Sequence, residues 1–427
     1  MAKTGMGRRM FLGRTAAGAA TWALMPTART LGAGARIIGA NDRIRLGIIG
    51  AGDRGQELLG QLLKLVDEEH QNAELVAVAD VYTRRHDEVR KNFPAVKTFN
   101  DHRRLLDMKD VDAVIIASPL HCHLRHFVDG IAAGKDLYSE KTMTWSIAEA
   151  EECRRVARQS DRVVQIGLQH VSTGAFLDAQ RWVKDGLVGK VTQVESWMSR
   201  NTPHGHPQWV RKVPPDCTAD HVQWDAFLNG RPGRPFDGFA FINWRLYWEF
   251  SGGNVTENAV HQFSWVFKLL DLPVPASASM SGGIYSEKDG REVPDTIALT
   301  LEFPENELVL TWQSTFSNRH YGLGERVLGA NGTVERVSGS TDMVTGKLDG
   351  GAKYWPEKIN RPDGVPIVGE SKDIQHLGNF LDCVRSRKEP NATVELGYRT
   401  AVAAHMANLA YRHNEKITFS RATTASI

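Results

Sequence analysis

The stretch Ile44-Arg45-Leu46-Gly47-Ile48-Ile49-Gly50-Ala51-Gly52-Asp53-Arg54-Gly55 decides the fold. Its first half is a short apolar run that reads as a strand. Its second half is Gly-x-Gly-x-x-Gly, after which Leu58, Leu59, Leu62, Leu63 and Val66 recur at helical spacing. Strand, glycine turn and helix, in that order, make a diphosphate site. The first glycine permits the tight turn, the second lets a diphosphate approach the backbone, and the third lets helix and strand pack closely. The diphosphate then meets the positive end of the helix. Asp80 closes the next apolar run, roughly 25 residues on, where a carboxylate accepts from ribose hydroxyls. Such a carboxylate repels a 2′-phosphate and favours NAD over NADP, although Arg84 and Arg85 just beyond it leave NADP open.

Outward from this stretch, apolar runs at 74–79, 111–117, 136–139 and 163–166 alternate with helical patterns at 101–108 and 146–158. Ser146 and Glu149 form a capping box at the start of the last of these. The alternation predicts an α/β fold: a doubly wound parallel Rossmann sheet over 41–167. After Gly167 the texture changes. Period-two strands at 191–198, 276–286, 296–303 and 307–316, with turn chemistry at Asn331-Gly332 and Asp349-Gly350-Gly351, predict a large, mainly antiparallel open sheet. Helices at 372–385 and 398–412 complete an α+β second domain spanning 168–427.

At 427 residues, two domains are the natural division. A formal net charge of +2 offers no electrostatic footprint for nucleic acid. Residues 1–40 read as a leader and linker. Gly7-Arg8-Arg9-Met10-Phe11-Leu12, a weakly apolar run over 15–25 and then Pro26-Thr27-Ala28 resemble a twin-arginine export signal and its cleavage site. The apolar run is too short to span a bilayer. Loss of Lys3, Arg8, Arg9 and Arg14 with the leader takes the formal charge from +2 to −2. The expectation is therefore export to the periplasm by the twin-arginine machinery, which moves folded proteins and lets a cofactor travel inside. Cys122, Cys153, Cys217 and Cys383 lack metal-like spacing and read as buried free thiols.

Further motifs follow the buried strand. Ala117-Ser118-Pro119 lies at its carboxyl end, where doubly wound sheets bind ligands. Gly134-Lys135-Asp136-Leu137-Tyr138-Ser139-Glu140-Lys141 comes next, then Trp244-Arg245, Gly252-Gly253, Glu257-x-x-x-His261 and the stretch from Asn379 to Arg385. Together these resemble the glucose-fructose oxidoreductase / inositol dehydrogenase / MocA family across roughly Arg43 to Phe419. The resemblance implies an NAD(P)-dependent oxidoreductase acting on CH–OH groups of a sugar or polyol, as a homo-oligomer. It makes Lys141 the residue that binds the reacting hydroxyl and helps move its proton, His261 the general base and Glu257 the group that orients the His261 ring. Gly50, Gly52, Asp53, Arg54, Gly55, Asp80, Ser118, Pro119, His121, Glu140, Lys141 and Gln169 would hold the cofactor. Lys141, His170, Trp244, Arg245 and His261 would hold the substrate. Physical chemistry supports the pair independently: residues four apart on a helix share a face, and a carboxylate beside an imidazole raises its basicity. A lysine beside a cationic nicotinamide has its pKa depressed.

Three positions depart from the family pattern: Thr142 stands in place of its proline, Glu257 in place of an aspartate and Ser264 in place of another. They keep two other readings open. One is a glycosidase that oxidises a ring hydroxyl transiently, eliminates the aglycone and returns the hydride. The other is a non-catalytic dinucleotide- or sugar-binding protein. His123 is a further cleft candidate, His204-Gly205-His206 reads as a loop without a third metal ligand, and most of Trp197, Trp209, Trp224, Trp244 and Trp248 read as core.

Overall fold

The computed structural model describes residues 42–202, 206–320, 322–338, 351–357 and 365–424. The leader, His204, Gly205 and the Asp349-Gly350 part of the predicted turn lie outside them.

Six parallel strands form the first sheet: β1 (Ile44–Ile49), β2 (Ala73–Ala79), β3 (Lys97–Phe99), β4 (Ala113–Ile116), β5 (Asp136–Glu140) and β6 (Val164–Gly167). Their order is β3-β2-β1-β4-β5-β6. The chain therefore reverses direction across the sheet between β1 and β4, and the carboxyl ends of these strands flank the crevice where such folds bind ligands. The connecting helices are α1 (Asp53–Asp67), α2 (Thr83–Arg90), α3 (His102–Leu106), α4 (His123–Ala132) and α5 (Ile147–Arg158). Every residue of β4 and β5 is buried, as a strand covered by helices on both faces requires. On α1 the residues at helical spacing, Leu58, Leu59, Leu62 and Leu65, face the core.

After α6 (Gly174–Lys184), β7 (Val191–Ser199) enters a second sheet of nine strands. Two short helices, α7 (Trp224–Leu228) and α8 (Gly238–Ile242), precede a π-helical turn (Val255–Ala259) that runs into α9 (Val260–Leu269). The sheet is completed by β8 (Ser277–Gly283), β9 (Thr296–Phe303), β10 (Leu308–Thr315), β11 (Leu323–Gly329), β12 (Gly332–Ser338), β13 (Ala352–Pro356), β14 (Ile367–Val368) and β15 (Ile417–Thr418). Pairing is antiparallel except between β7 and β10. Strands β11 and β12 flank the turn that the sequence predicts at Asn331-Gly332. The loop in fact centres on Ala330-Asn331, because Gly329 pairs with Gly332.

α10 (His376–Ser386) and α11 (Val394–His413) end the fold. α11 lines the second sheet, while α10 returns to the first, its Phe380 ring edge-on to Tyr138 of β5. Arg387, just past α10, forks onto Asp136 of β5 at 2.6 and 3.0 Å. All four cysteines are buried and free.

Candidate active site

A cleft of about 710 Å³ opens at the carboxyl ends of the parallel strands. Its floor is the β1–α1 turn. Gly50 has φ +88°, and a Cβ there would lie 2.6 Å from the Ser118 nitrogen. At Gly55 a Cβ would meet the Gly50 carbonyl oxygen at 2.4 Å, so the third glycine is required by packing and lies beneath the cleft. Around Gly52 nothing crowds a Cβ position, which leaves the backbone open to an incoming group. Asp80 caps this turn: its carboxylate accepts from the Ala51 N–H at 2.7 Å and from the Tyr82 N–H at 2.9 Å. Burial raises the Asp80 pKa, with those two N–H donors and the Arg85 charge opposing it. An open glycine turn, a helix start and a strand-end carboxylate on one cleft fit a dinucleotide.

The other wall comes from the second domain. Residues 206–243 reach back as a strap, joined to β2 and its following turn by Thr83 N–H to His221 O (3.0 Å), by Gln223 N–H to Val81 O (2.8 Å) and by a bridge between Tyr82 and Val222. Arg84 pairs with Asp216 at 2.8 Å, and Arg211 crosses to Asp53 at 2.6 Å. Arg211, Gln223, Phe227, Asn229 and Phe241 of the strap line the cleft.

The reacting end lies where β5 meets the π-helical turn. The Lys141 ammonium donates to the Glu257 backbone oxygen at 2.7 Å and approaches its carboxylate at 3.4 Å. Arg245 donates to the same carboxylate at 2.9 Å. Burial opposes ionisation of Glu257, but the Lys141 and Arg245 charges outweigh it and hold the pKa at about 2. Burial depresses the Lys141 pKa, with Glu257 pulling it back up and Arg245 pushing it further down. The depression expected from a nicotinamide is thus already supplied by desolvation. Thr142, at the family's proline position, follows a cis peptide; its hydroxyl donates to Thr256 O at 2.5 Å. The His123 ring lies between Thr142 O (2.8 Å) and Ser118 O (2.9 Å), tying the Ser118-Pro119 turn to the end of β5.

Gly50, Gly52, Asp53, Arg54, Asp80, Ser118, Pro119, Glu140, Lys141, Trp244, Arg245 and Glu257 all line the cleft. Glu140 serves as a hub. Its carboxylate accepts from Arg54 (2.8 Å) and Gln169 (3.0 Å), and a Cβ at Gly167 would strike it at 2.8 Å. Gln169 is therefore a support for Glu140, and Arg54 is drawn to it by charge.

Two expectations need correction. Glu257 does not orient His261: its oxygens are engaged by Lys141, Arg245 and Ser251, and His261 Nδ1 is buried without a partner among the described residues. The His261 ring instead lies 4.8 Å from that of His170, and burial, with His170 and nearby cations, drives its pKa well below the usual range. The basicity expected from a neighbouring carboxylate is accordingly absent. His121 is also not a cofactor ligand. Its Nε2 donates to Phe227 O at 2.6 Å, its ring packs between Phe227 and Phe250, and burial lowers its pKa to about 3. Among the tryptophans, Trp244 lines the cleft with Arg245 over its ring, whereas Trp224 stacks on Phe227 in a core cluster. His170 accepts from Arg336 at 3.2 Å.

Cleft residues that sequence reasoning missed are Arg211 and Gln223. Arg211 and Gln223 sit in a connection without a motif, so no sequence signal marked them.

Residues 44–168 match the family described as "Oxidoreductase family, NAD-binding Rossmann fold", and residues 223–419 its companion, "Oxidoreductase family, C-terminal alpha/beta domain". A scyllo-inositol 2-dehydrogenase (NADP(+)) of Bacillus subtilis is 25% identical over 269 residues, which is 63% of this chain and 62% of that protein. A scyllo-inositol 2-dehydrogenase (NAD(+)) of the same organism is 26% identical over 148 residues, 35% of this chain and 42% of that one. The chain thus spans less than two thirds of each of these relatives. An oxidoreductase structure from Thermotoga maritima shares the fold at TM-score 0.67 and 16% identity, over 89% of this chain and 99% of its own. All the cleft residues except Arg211 fall within the matched segments, and the chain belongs to the glucose-fructose oxidoreductase / inositol dehydrogenase / MocA family of NAD(P)-binding oxidoreductases.

Proposed function

We propose that this protein is an exported NAD(P)-dependent dehydrogenase that transfers hydride between a sugar or polyol hydroxyl carbon and the nicotinamide. One observation carries the reading: a desolvated lysine, Lys141, stands on the dinucleotide cleft with its ammonium held by Glu257. Gly50, Gly52, the start of α1 and Asp80 would hold the dinucleotide, which when bound supplies the two-electron acceptor. As the C–H bond breaks, the hydroxyl proton must leave too. Lys141 in its amine form takes that proton at Nζ, and burial makes the amine form accessible at lower pH than for a solvated lysine. His261, whose pKa burial and the surrounding cations drive well below the usual range, is left without the role of base. Arg245 and Glu257 fix the Lys141 ammonium, and Trp244 offers an apolar face to sugar C–H groups.

The Arg8-Arg9 leader supports export of the folded protein through the twin-arginine machinery to the periplasm, and the family resemblance supports a homo-oligomer. The test is to purify the protein from the periplasm, release and identify its nucleotide, and screen sugars and polyols for reduced-cofactor absorbance. Lys141→Ala lowers turnover by about 10²–10⁴-fold while the nucleotide is retained. Unchanged turnover in that variant would remove the role assigned to Lys141.

A further inference from the structure

Lys141 takes both of its side-chain acceptors from one residue of the second domain. Its ammonium lies 2.7 Å from the Glu257 backbone oxygen and 3.4 Å from the Glu257 carboxylate, so the shorter contact is to the main chain. Where that ammonium sits is therefore decided by where the π-helical turn (Val255–Ala259) places the Glu257 peptide group. Such turns are rare and gather at functional sites.

The turn is gripped by the residue next to the lysine. Thr142 Oγ1 donates to the Thr256 backbone oxygen at 2.5 Å. Two adjacent residues just past β5 thus hold two consecutive carbonyls of the turn. Thr142 is 2% and Thr256 0% exposed, so water has no access to replace this bond once it is lost. Both sides of the clasp are themselves fixed. On the β5 side, the His123 ring lies 2.8 Å from Thr142 O, and His405 of α11 donates from Nε2 to Thr144 O at 2.9 Å. On the other side, Thr256 Oγ1 accepts from the Gly252 N–H at 3.1 Å, and Asn408 of α11 donates to Gly252 O at 2.8 Å. We propose that Thr142 is a positioning residue for the lysine: its hydroxyl locks the π-helical turn in the placement that sets the Glu257 carbonyl against the Lys141 ammonium. Proline at this position has no such donor, so the clasp belongs to this chain's own sequence. The proposal deepens the dehydrogenase reading and rests on it for turnover, whereas the state of Lys141 is measurable without turnover.

Thr142→Val keeps the β-branched shape and removes the hydroxyl, Thr142→Ala removes it with less bulk, and Thr142→Ser keeps it. In each protein the Lys141 pKa is read from the pH dependence of its acetylation by trace acetic anhydride, followed by mass spectrometry of the peptide that carries it. Lys141 lines the cleft, so a small reagent reaches it. Without the clasp the ammonium loses its nearest acceptor, which disfavours the charged form. The pKa should then fall by about half a pH unit or more in the Val and Ala variants. In the same two, kcat should drop roughly ten- to a hundredfold with KM within about threefold, because a displaced amine harms proton transfer more than binding. Thr142→Ser should return both to near the parent. A far-ultraviolet circular dichroism spectrum like the parent's shows that a variant is folded, and either hydroxyl-free variant suffices. A Lys141 pKa equal to the parent's in a folded hydroxyl-free variant, whatever its kcat, would overturn the proposal, as would a serine variant no better than the valine one. A pKa that falls in the valine variant and returns in the serine one, with no turnover in any protein, would uphold it while refuting the dehydrogenase reading.

Discussion

At the scale of single residues, the candidate chemistry turns on how Glu257 is spent. The sequence placed it four residues before His261 and paired the two; the structure gives both of its oxygens to Lys141, Arg245 and Ser251 instead. The carboxylate thus acts on the lysine, and the sign of its effect follows. Its negative charge stabilises the ammonium and raises the Lys141 pKa, against burial and Arg245, which lower it. Removing the charge while keeping a hydrogen-bond acceptor, as in Glu257→Gln, therefore lowers the Lys141 pKa further. In the alcohol-oxidising direction, where the amine is the active form, the rising limb of kcat against pH should move to lower pH than in the parent. A limb that stays in place, or moves upward, would show that Lys141 is not the titrating group.

Element by element, local rules that involve near neighbours were legible. The glycine turn, the helix behind it and the capping box at α5 all follow from contacts a few residues apart. Ser146 Oγ accepts from Glu149 N–H at 3.2 Å, and Glu149 reaches back to Trp145 N–H at 2.9 Å. The parallel strands were legible because burial on both faces leaves long apolar runs. Strands β11 to β14 were not, because an edge of an open sheet alternates weakly and its turns lie a residue away from the Asn-Gly signal. Site residues supplied by the strap with no motif, Arg211 and Gln223, were illegible for the same reason: their partners, Asp53 and Val81, are distant in sequence. The cap also has a pH consequence. Burial pushes the Glu149 pKa from 4.5 to about 7, against the Trp145 and Ser146 backbone donors. The folded chain therefore holds a proton that the unfolded chain has released across that window, so this group's contribution to stability falls as pH rises from about 4.5 to about 7. Glu149→Gln removes the dependence. Relative to the parent, its denaturation midpoint should gain as pH rises through the window, by up to about 3 kcal/mol, with no relative gain near pH 4. Parallel pH profiles of the two proteins would contradict the assignment.

For the molecule as a whole, the strap over 206–243 joins the second domain to the first across the cleft, and is expected to govern how a dinucleotide enters and leaves. It is anchored to the first domain by two backbone hydrogen bonds at β2 and by the Arg84–Asp216 and Arg211–Asp53 pairs. Asp53 opens α1, so the second pair closes directly over the turn that would carry the diphosphate. Phe227, Phe241 and Arg211 of the strap line the cleft beside that turn, so a dinucleotide seated there would lie beneath them, and its release is expected to need the strap to part from the segment after β2. Two changes separate the contributions. Arg84→Ala with Arg211→Ala deletes exposed ion pairs, which are weak, and should speed nucleotide release by no more than about tenfold. Gln223→Pro removes the N–H that reaches Val81 O at a position whose φ, −75°, already suits proline. It breaks a backbone clasp without forcing a new conformation, and should also raise the off-rate. Both are read from the rate at which NADH fluorescence decays when excess NAD(+) displaces it. Off-rates equal to the parent's in both variants would mean that the nucleotide leaves by a route the strap does not guard.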